Sequence, residues 1–279
     1  MIKIVADTLT SIPLDQAREL GIAILPQLII FGEEVYRDDT EIDTETFLRK
    51  LRASPTLPTT SAPPPELYRP IYQQLLDEGH EILCLGPSAE LSHTVQSAYV
   101  AAQEFEGPIR IIDTRSIGGP FGTMVLLANQ WAREGADADT IEARVRDLMA
   151  RQRIYFVVDT LEYLHKGGRI GGARALLGSV LQIKPILHIQ NGRVEPFEQQ
   201  RTKSKALARL RELVVTECPH SPDAYPCVMH ADAEEEARVL AGYLSAELGV
   251  GEVPIFVVPP AIVVHAGPGV LGAGFFVQP

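Results

Sequence analysis

The chain has 279 residues, of which 46% are apolar, and its 25 basic and 36 acidic side chains give a formal net charge of −11. This length suits two domains of about 100–150 residues better than a single core. The apolar fraction is large enough to form a core and also to line a cavity. Because the net charge is negative and the basic residues are scattered, we expect no nucleic-acid partner; a small molecule or another protein fits the composition better.

The cysteine content and the first residues point to a cytoplasmic protein. Cys84, Cys218 and Cys227 cannot all pair in disulfides, and no charged and apolar leader precedes the first strand-like segment. No uninterrupted apolar run approaches the ~18 residues that a membrane-spanning helix needs. We therefore expect a soluble protein in a reducing compartment.

The first half of the chain alternates strand-like and helix-like segments. Short apolar runs predict buried strands at 2–6, 82–85, 109–112 and 154–158. Apolar residues spaced by three and four predict helices at 67–76, 94–105, 122–131 and 140–149. Strands that alternate with helices indicate βαβ units, so we expect an α/β domain with a mainly parallel sheet and flanking helices over residues 1–153.

The pattern changes after residue 153, where strands follow one another with fewer helices between them. Strand candidates lie at 183–189, 193–197, 225–229, 255–258 and 275–277. The pair Asn191-Gly192 between two of them is a strong hairpin turn signal. We therefore expect a second, mixed α+β domain over residues 154–279.

One segment, residues 161–170, crowds cations beside paired glycines and is followed by a helical pattern at 173–182. Gly167 and Gly168 free the backbone to adopt positive φ, and Lys166 and Arg169 place positive charge where backbone N–H groups could face an anion. The alternative is a turn between helices with both cations solvated. The residues alone leave these two interpretations open.

Three predicted strands end in an Asp-Thr pair, at Asp7, Asp113 and Asp159. The carboxyl ends of parallel strands border the ligand crevice of open α/β sheets, so three carboxylates there are candidates for metal binding or acid–base catalysis. Helix capping and Asx turns favour the same residue types. Capping is the simpler interpretation.

Two groups of hydroxyl side chains lie on predicted turns. Thr59-Thr60-Ser61 follows a proline in a proline-rich loop, and Ser92 and Thr94 stand where a strand gives way to a helix. Neutral O–H donors on rigid turns suit an anionic head group, although Ser92 also fits a simple N-cap. A hydrolase would need more, because no Gly-x-Ser-x-Gly elbow occurs and only His93 and His265 are bases that folding could bring close.

Two further patterns are weak signals for a cofactor or a metal. Gly267–Gly272 spells Gly-x-Gly-x-x-Gly, but too few residues follow it for a dinucleotide-binding unit, so we expect a close backbone turn. Cys218 with His220, and Cys227 with His230, have irregular spacing for a structural zinc site. We therefore expect no metal and no cofactor.

Together, these residues resemble the DegV family, the bacterial fatty-acid-binding proteins that include the FakB components of fatty acid kinase. The resemblance covers essentially the whole chain. It is carried by the joint order of Ile4-Val5-Ala6-Asp7-Thr8, Thr59-Thr60-Ser61-Ala62-Pro63, residues 88–98, residues 112–116, residues 161–170, residues 183–187, Gly192, Arg201 and His265-Ala266-Gly267-Pro268-Gly269.

The resemblance implies a two-domain α/β fold in which a long-chain, palmitate-like fatty acid is buried between helices and sheet. Its carboxylate would lie at the domain interface, bound by the residues that match the family's Thr-Thr-Ser loop and Leu-Ser turn, here Thr60 and Ser92. Ser61 and His265 are neighbouring candidates for the same network. His93 stands where relatives usually have Gly, and it either adds a donor or narrows the mouth of the site.

The resemblance also implies a carrier that performs no chemistry itself. FakB members present the fatty acid to a separate ATP-using kinase subunit, and the acyl phosphate formed enters phospholipid synthesis, which allows transient contact with a membrane. Lys166, Arg169 and Arg201 are candidates for that encounter or for the head-group site. The alternative is an enzyme: a lipid or ester hydrolase, or a phosphotransferase that uses the strand-end aspartates.

Overall fold

The computed structural model of the chain describes residues 1–177 and 183–278. Its strands are β1 (Ile2–Asp7), β2 (Ala23–Leu25), β3 (Leu28–Phe31), β4 (Glu34–Arg37), β5 (Thr59–Ser61), β6 (Glu81–Gly86), β7 (Ile109–Asp113), β8 (Gln152–Val157), β9 (Lys184–Gln190), β10 (Arg193–Gln200), β11 (Cys227–His230), β12 (Ile255–Val257) and β13 (Leu271–Phe276). Its α-helices are α1 (Leu14–Leu20), α2 (Thr44–Ala53), α3 (Pro65–Asp77), α4 (Thr94–Ala102), α5 (Gly119–Arg133), α6 (Ala138–Arg151), α7 (Glu162–Lys166), α8 (Lys203–Glu217), α9 (Glu234–Leu248) and α10 (Pro260–Ala266). Short 3₁₀ segments cover Thr8–Thr10, Gly171–Leu176 and Pro222–Ala224.

The strands form three sheets. The first, in the order β2-β1-β6-β7, is entirely parallel. The second, in the order β10-β9-β8-β13-β11-β12, is antiparallel except for the β11–β12 pair. The third is a small antiparallel sheet, β4-β3-β5. The predicted fold class, a parallel sheet followed by a mixed one, is confirmed, whereas the division at residue 153 stays a prediction.

Alternate side chains of each central strand enter different cores, as the period of two in a strand requires. In β1, Ile4 joins the large core between the two main sheets, while Val5 packs toward α3 and α4. In β8, Ile154 joins the same large core, while Tyr155 faces the core formed with α8 and α9. The large core thus contains residues from both halves of the chain.

Local sequence signals explain several element ends. Asp43 and Asp137 cap α2 and α6 by accepting from backbone N–H groups three residues ahead, both at 2.7 Å. Asn191 and Gly192 both have positive φ, 52° and 82°, and join β9 to β10. The predicted hairpin is therefore confirmed.

Three predictions from the sequence are wrong in part. The strand predicted at 154–158 is present as β8 (Gln152–Val157), but it pairs antiparallel with β9 and β13 and does not extend the parallel sheet. Thr59–Ser61 is not a loop but the short strand β5, paired with β3. The helix expected at 173–182 begins as the 3₁₀ segment Gly171–Leu176, and residues 178–182 lie outside the described residues.

No helix in the described ranges combines the length and the apolar character that crossing a bilayer requires.

Candidate functional site

A cavity of about 400 Å³ lies between the six-stranded sheet, helix α10, strand β5 and the N-terminal end of α4. Its volume falls in the usual range for small-molecule sites, about 300–1,000 Å³. Apolar side chains supply most of its wall, namely Leu9, Ile117, Ile154, Phe156, Leu164, Ile189, Val194, Met229, Val258, Ala261, Ile262 and Val270. The cavity therefore suits a ligand with a long apolar part.

Five polar residues line part of the wall, and we call them the polar cluster: Gln27, Thr60, Ser92, Arg169 and His265. They come from five separate parts of the chain. Ser61, His93 and Ser97 also line the cavity. The structure thus places Thr60, Ser61, Ser92, His93, Arg169 and His265 around one cavity, while their roles in binding stay a prediction.

Thr60 and His265 form the first contact of the polar cluster, with 2.8 Å between Thr60 Oγ1 and His265 Nε2. Strand β5 holds Thr60 opposite Ile29, and His265 lies in the last turn of α10. Burial, and the nearby charge of Arg169, lower the pKa of His265 to about 4, so the imidazole is neutral near pH 7.

The tautomer of His265 decides what Thr60 can offer a ligand. Among the described residues, the buried His265 Nδ1 has no hydrogen-bond partner. A proton on Nδ1 would bury an unpaired donor, so we assign it to Nε2, which then donates to Thr60 Oγ1. The hydroxyl hydrogen of Thr60 is left free to donate into the cavity.

Ser92 belongs to a second chain of contacts in the polar cluster. Its Oγ lies 2.8 Å from Thr94 Oγ1 and accepts from the Thr94 N–H at 3.3 Å. Gln27 Nε2 donates to Thr94 Oγ1 and to Asp7 Oδ2, at 3.0 Å each. Ser92 thus lies at the start of α4, but the interpretation of Ser92 as the N-cap is wrong, because His93 is the residue at that position.

The glycine-rich segment 161–170 packs against His265 and bonds to the chain next to Ser92. A Cβ added to Gly167 would fall against the ring of His265, 3.1 Å from Cε1 and closer still to Nδ1. Arg169 donates from Nε to the Leu91 carbonyl at 3.0 Å and from Nη1 to the Gly167 carbonyl at 2.9 Å. The segment therefore positions both His265 and the chain beside Ser92.

The backbone of this segment does not form the anion cradle that its sequence suggests. The N–H groups of Gly167, Gly168 and Arg169 donate to carbonyls within the segment, at 2.8, 3.1 and 3.0 Å. Lys166 is exposed and pairs with Glu162 at 2.5 Å. Of the three predicted cations, Arg169 lines the cavity, while Lys166 and Arg201 lie outside its lining.

The strand-end aspartates do not converge. Asp7 is buried and accepts from Leu9 N and Gln27 Nε2, whereas Asp113 accepts from the N–H groups of Ala89 and Arg115. Asp159 follows a strand of the other sheet and pairs with Lys203 at 2.9 Å.

Within residues 1–177 and 183–278, no three His, Cys, Asp or Glu side chains are grouped so that they could hold a metal ion. The described residues therefore do not form the metal site that the three Asp-Thr pairs offered as an alternative to capping, and β8, which precedes Asp159, belongs to the second sheet.

Sequence analysis missed two buried polar residues beside the cavity. Gln27 is 2% exposed, and Asp38 is 7% exposed and accepts from Thr8 Oγ1 and from the Gln27 N–H, both at 2.8 Å. Burial raises the pKa of Asp7 to about 8 and that of Asp38 to about 7. The position of Gln27 between the apolar runs 22–25 and 28–31 could have indicated that this polar side chain is buried.

Comparison with known proteins gives consistent relatives along the whole chain. A DegV domain-containing protein of Halalkalibacterium halodurans is 34% identical over 280 residues, which cover 99% of each chain. A DegV domain-containing protein of Streptomyces coelicolor is 37% identical over 273 residues, covering 97% of this chain and 96% of the relative.

Solved structures agree with these relatives. The fatty-acid-binding DegV family protein of Thermus thermophilus superposes with a TM-score of 0.92 at 32% identity, covering 99% of each chain. DegV of Bacillus subtilis, described as a fatty acid binding protein, gives a TM-score of 0.88 at 30% identity, again over 99% of each chain. The family model "Uncharacterised protein, DegV family" matches residues 1–278. The chain therefore belongs to the DegV family.

Proposed function

We propose that this protein binds a long-chain, palmitate-like fatty acid, with the acyl chain in the apolar part of the cavity and the carboxylate at the polar cluster. The observation that carries the proposal is a largely apolar cavity whose polar cluster offers neutral hydroxyl donors and one arginine. The descriptions of the Thermus thermophilus and Bacillus subtilis relatives as fatty-acid-binding support it.

The apolar wall supplies most of the affinity in this proposal. Each CH₂ group removed from water contributes about 0.8 kcal/mol, so a chain of a dozen or more such groups gains far more than a few hydrogen bonds do. Strands β8, β9, β10 and β11 of one sheet and helix α10 supply much of this wall. The polar cluster then serves to orient the ligand.

The carboxylate would accept hydrogen bonds from the hydroxyls of Thr60 and Ser92. Arg169 supplies the positive charge, and its bonds to the Leu91 and Gly167 carbonyls hold the guanidinium in place. Ser61 and the exposed His93 lie at the edge of the cavity, where each can add a donor. Neutral donors add to the binding of the anion without placing a further charge beside Arg169.

The finer part of the proposal is that the bound fatty acid is presented to a separate, ATP-using kinase subunit, and that the acyl phosphate feeds phospholipid synthesis. Lys166 and Arg201 are exposed cations outside the cavity lining, which suits contact with a phosphate-bearing partner. Arg169 reaches the cavity, so its reversal to Glu should weaken fatty-acid binding as well as phosphorylation. Reversal of Lys166 should affect phosphorylation alone.

A hydrolase is less well supported by the same geometry. Thr60 and His265 are close enough to form a nucleophile and base pair, but a base works best with a pKa near the operating pH, and that of His265 is lowered to about 4. The described residues also offer no partner to orient His265 through Nδ1.

The test is direct analysis of the ligand. Organic extraction of the protein purified from cells, followed by mass spectrometry, should yield about one equivalent of long-chain fatty acid. The double variant Thr60→Val/Ser92→Ala should lose the ligand while its unfolding curve stays cooperative. The matched control Thr59→Val/Ser204→Ala changes the same residue types at exposed positions outside the cavity lining and should keep it.

Two outcomes would refute the proposal. A folded wild-type protein that carries no fatty acid and ignores added fatty acid would exclude binding. A double variant that keeps its ligand as firmly as the control would place the carboxylate elsewhere.

A further inference from the structure

We propose that Gln27 is a positioning residue that, through Thr94, holds Ser92 Oγ in place beside the bound carboxylate. The inference rests on the proposed function and adds to it a residue that would not touch the carboxylate through its own hydrogen bonds. Gln27 acts through Thr94, so that a hydrogen-bonded chain runs from Asp7 to the cavity.

Gln27 is held in place from both ends. It is 2% exposed, and its backbone N–H donates to Asp38 Oδ1 at 2.8 Å. Its side-chain Nε2 donates to Asp7 Oδ2 at 3.0 Å, and Asp7 is itself fixed by the N–H of Leu9 at 2.9 Å. A buried amide with these partners has little freedom to rotate.

Gln27 holds the side chain of Thr94, and Thr94 in turn holds that of Ser92. Gln27 Nε2 donates its second hydrogen to Thr94 Oγ1 at 3.0 Å. Thr94 Oγ1 lies 2.8 Å from Ser92 Oγ, and the Thr94 N–H donates to Ser92 Oγ at 3.3 Å.

These contacts fix both hydroxyl groups beside the cavity before a ligand binds. Without Gln27, the side chain of Thr94 would lose a partner that limits its rotation, and Ser92 Oγ would lose a fixed neighbour. Gln27 would therefore raise the affinity for a carboxylate by placing a donor in advance, which avoids an ordering cost on binding.

The experiment is a double-mutant cycle on fatty-acid affinity, measured by calorimetry with palmitate. Gln27→Met, which keeps the length of the side chain, should weaken binding about five- to tenfold, the size of one lost hydrogen bond. In a Ser92→Ala background, the same change should weaken binding less than about twofold, because the hydroxyl that it orients is gone. A merely structural role for Gln27 would cost the same in both backgrounds.

Thr94 provides a second pair of variants in case Gln27→Met folds poorly. Thr94→Val removes the relay hydroxyl and should weaken binding about as much as Gln27→Met, whereas Thr94→Ser keeps the hydroxyl and should bind nearly as wild type does. Equal losses for Thr94→Val and Thr94→Ser would refute the relay.

The failures of the two proposals are distinguishable. If wild-type protein does not bind palmitate, the proposed function and this inference both fall. If wild-type protein binds palmitate but the effect of Gln27→Met persists in the Ser92→Ala background, the inference alone falls.

Discussion

Replacing Gly167 by Ala should disturb ligand binding although Gly167 makes no hydrogen bond to a ligand in the proposed site. The added Cβ would lie 2.9 Å from the Tyr163 carbonyl oxygen, 3.1 Å from His265 Cε1 and closer still to His265 Nδ1. Real Cβ atoms essentially never come closer than 3.0 Å to such neighbours. Because the Tyr163 oxygen is backbone in α7, the imidazole is the group that must move.

The size of the effect follows from the contact that the ring makes. A shift of the ring away from Gly167 breaks or stretches the 2.8 Å contact between His265 Nε2 and Thr60 Oγ1. A lost hydrogen bond of this kind is worth about 1 kcal/mol, so affinity for a fatty acid should fall about fivefold. Overpacking should add a loss of about 1–3 kcal/mol in the free energy of unfolding.

The matched control is the neighbouring Gly168→Ala. Gly168 has a φ of 72° and no heavy atom within 4 Å of an added Cβ, so its replacement strains only the backbone. It should cost about 1 kcal/mol of stability and leave affinity unchanged. Calorimetric titration with palmitate and urea unfolding of both variants are the measurements. Equal affinity of Gly167→Ala and wild type would refute the link from Gly167 through His265 to the site.

Two further predictions concern the wall of the cavity and its response to pH. Met229→Ala should cost about 2–4 kcal/mol in urea unfolding, because it opens space in the core and removes the sulfur that accepts from the Gly119 N–H at 3.0 Å. It should also shift the bound fatty acids toward longer chains, which mass spectrometry of the extracted ligand would detect; unchanged stability would contradict the packing seen here.

Folding lowers the pKa of His265 from 6.5 to about 4. As the pH falls through this range, the unfolded chain therefore takes up a proton at His265 that the folded chain does not. Relative to His265→Gln, ligand-free wild type should therefore lose at most about 3 kcal/mol between pH 7 and pH 4. If the free energy of unfolding changes by the same amount in the two proteins between pH 7 and pH 4, the imidazole is not buried as described.

Prediction from sequence succeeded where a local pattern decides the structure. The hairpin at Asn191 and Gly192 was predictable because a two-residue turn with positive φ at both positions selects these residue types. Strands β1, β6 and β7 of the parallel sheet and the helices α3 to α6 were predictable because their apolar periodicity spans enough residues to be read. The small sheet β4-β3-β5 was not predicted, because strands of three or four residues carry too little pattern.

Prediction from sequence failed where the structure depends on which strands pair with each other. The end of β8 resembles the ends of β1 and β7, since each strand ends at or just before an Asp-Thr pair, yet β8 belongs to the other sheet. Nothing in residues 154–160 shows which strand will be the neighbour. Asp159 therefore lies at a different sheet from Asp7 and Asp113, because strand pairing depends on residues far away in the sequence.

The sequence by itself determined the fold class, the residue types suited to an anionic head group and, through its resemblance to the DegV family, which of them to consider. Only the tertiary structure decided that Thr60 contacts His265 across 205 positions of sequence, and that Gln27 reaches Thr94 across 67. Periodicity reports which face of an element is buried. It does not report which buried side chains meet, because those contacts depend on how the sheets and helices pack together.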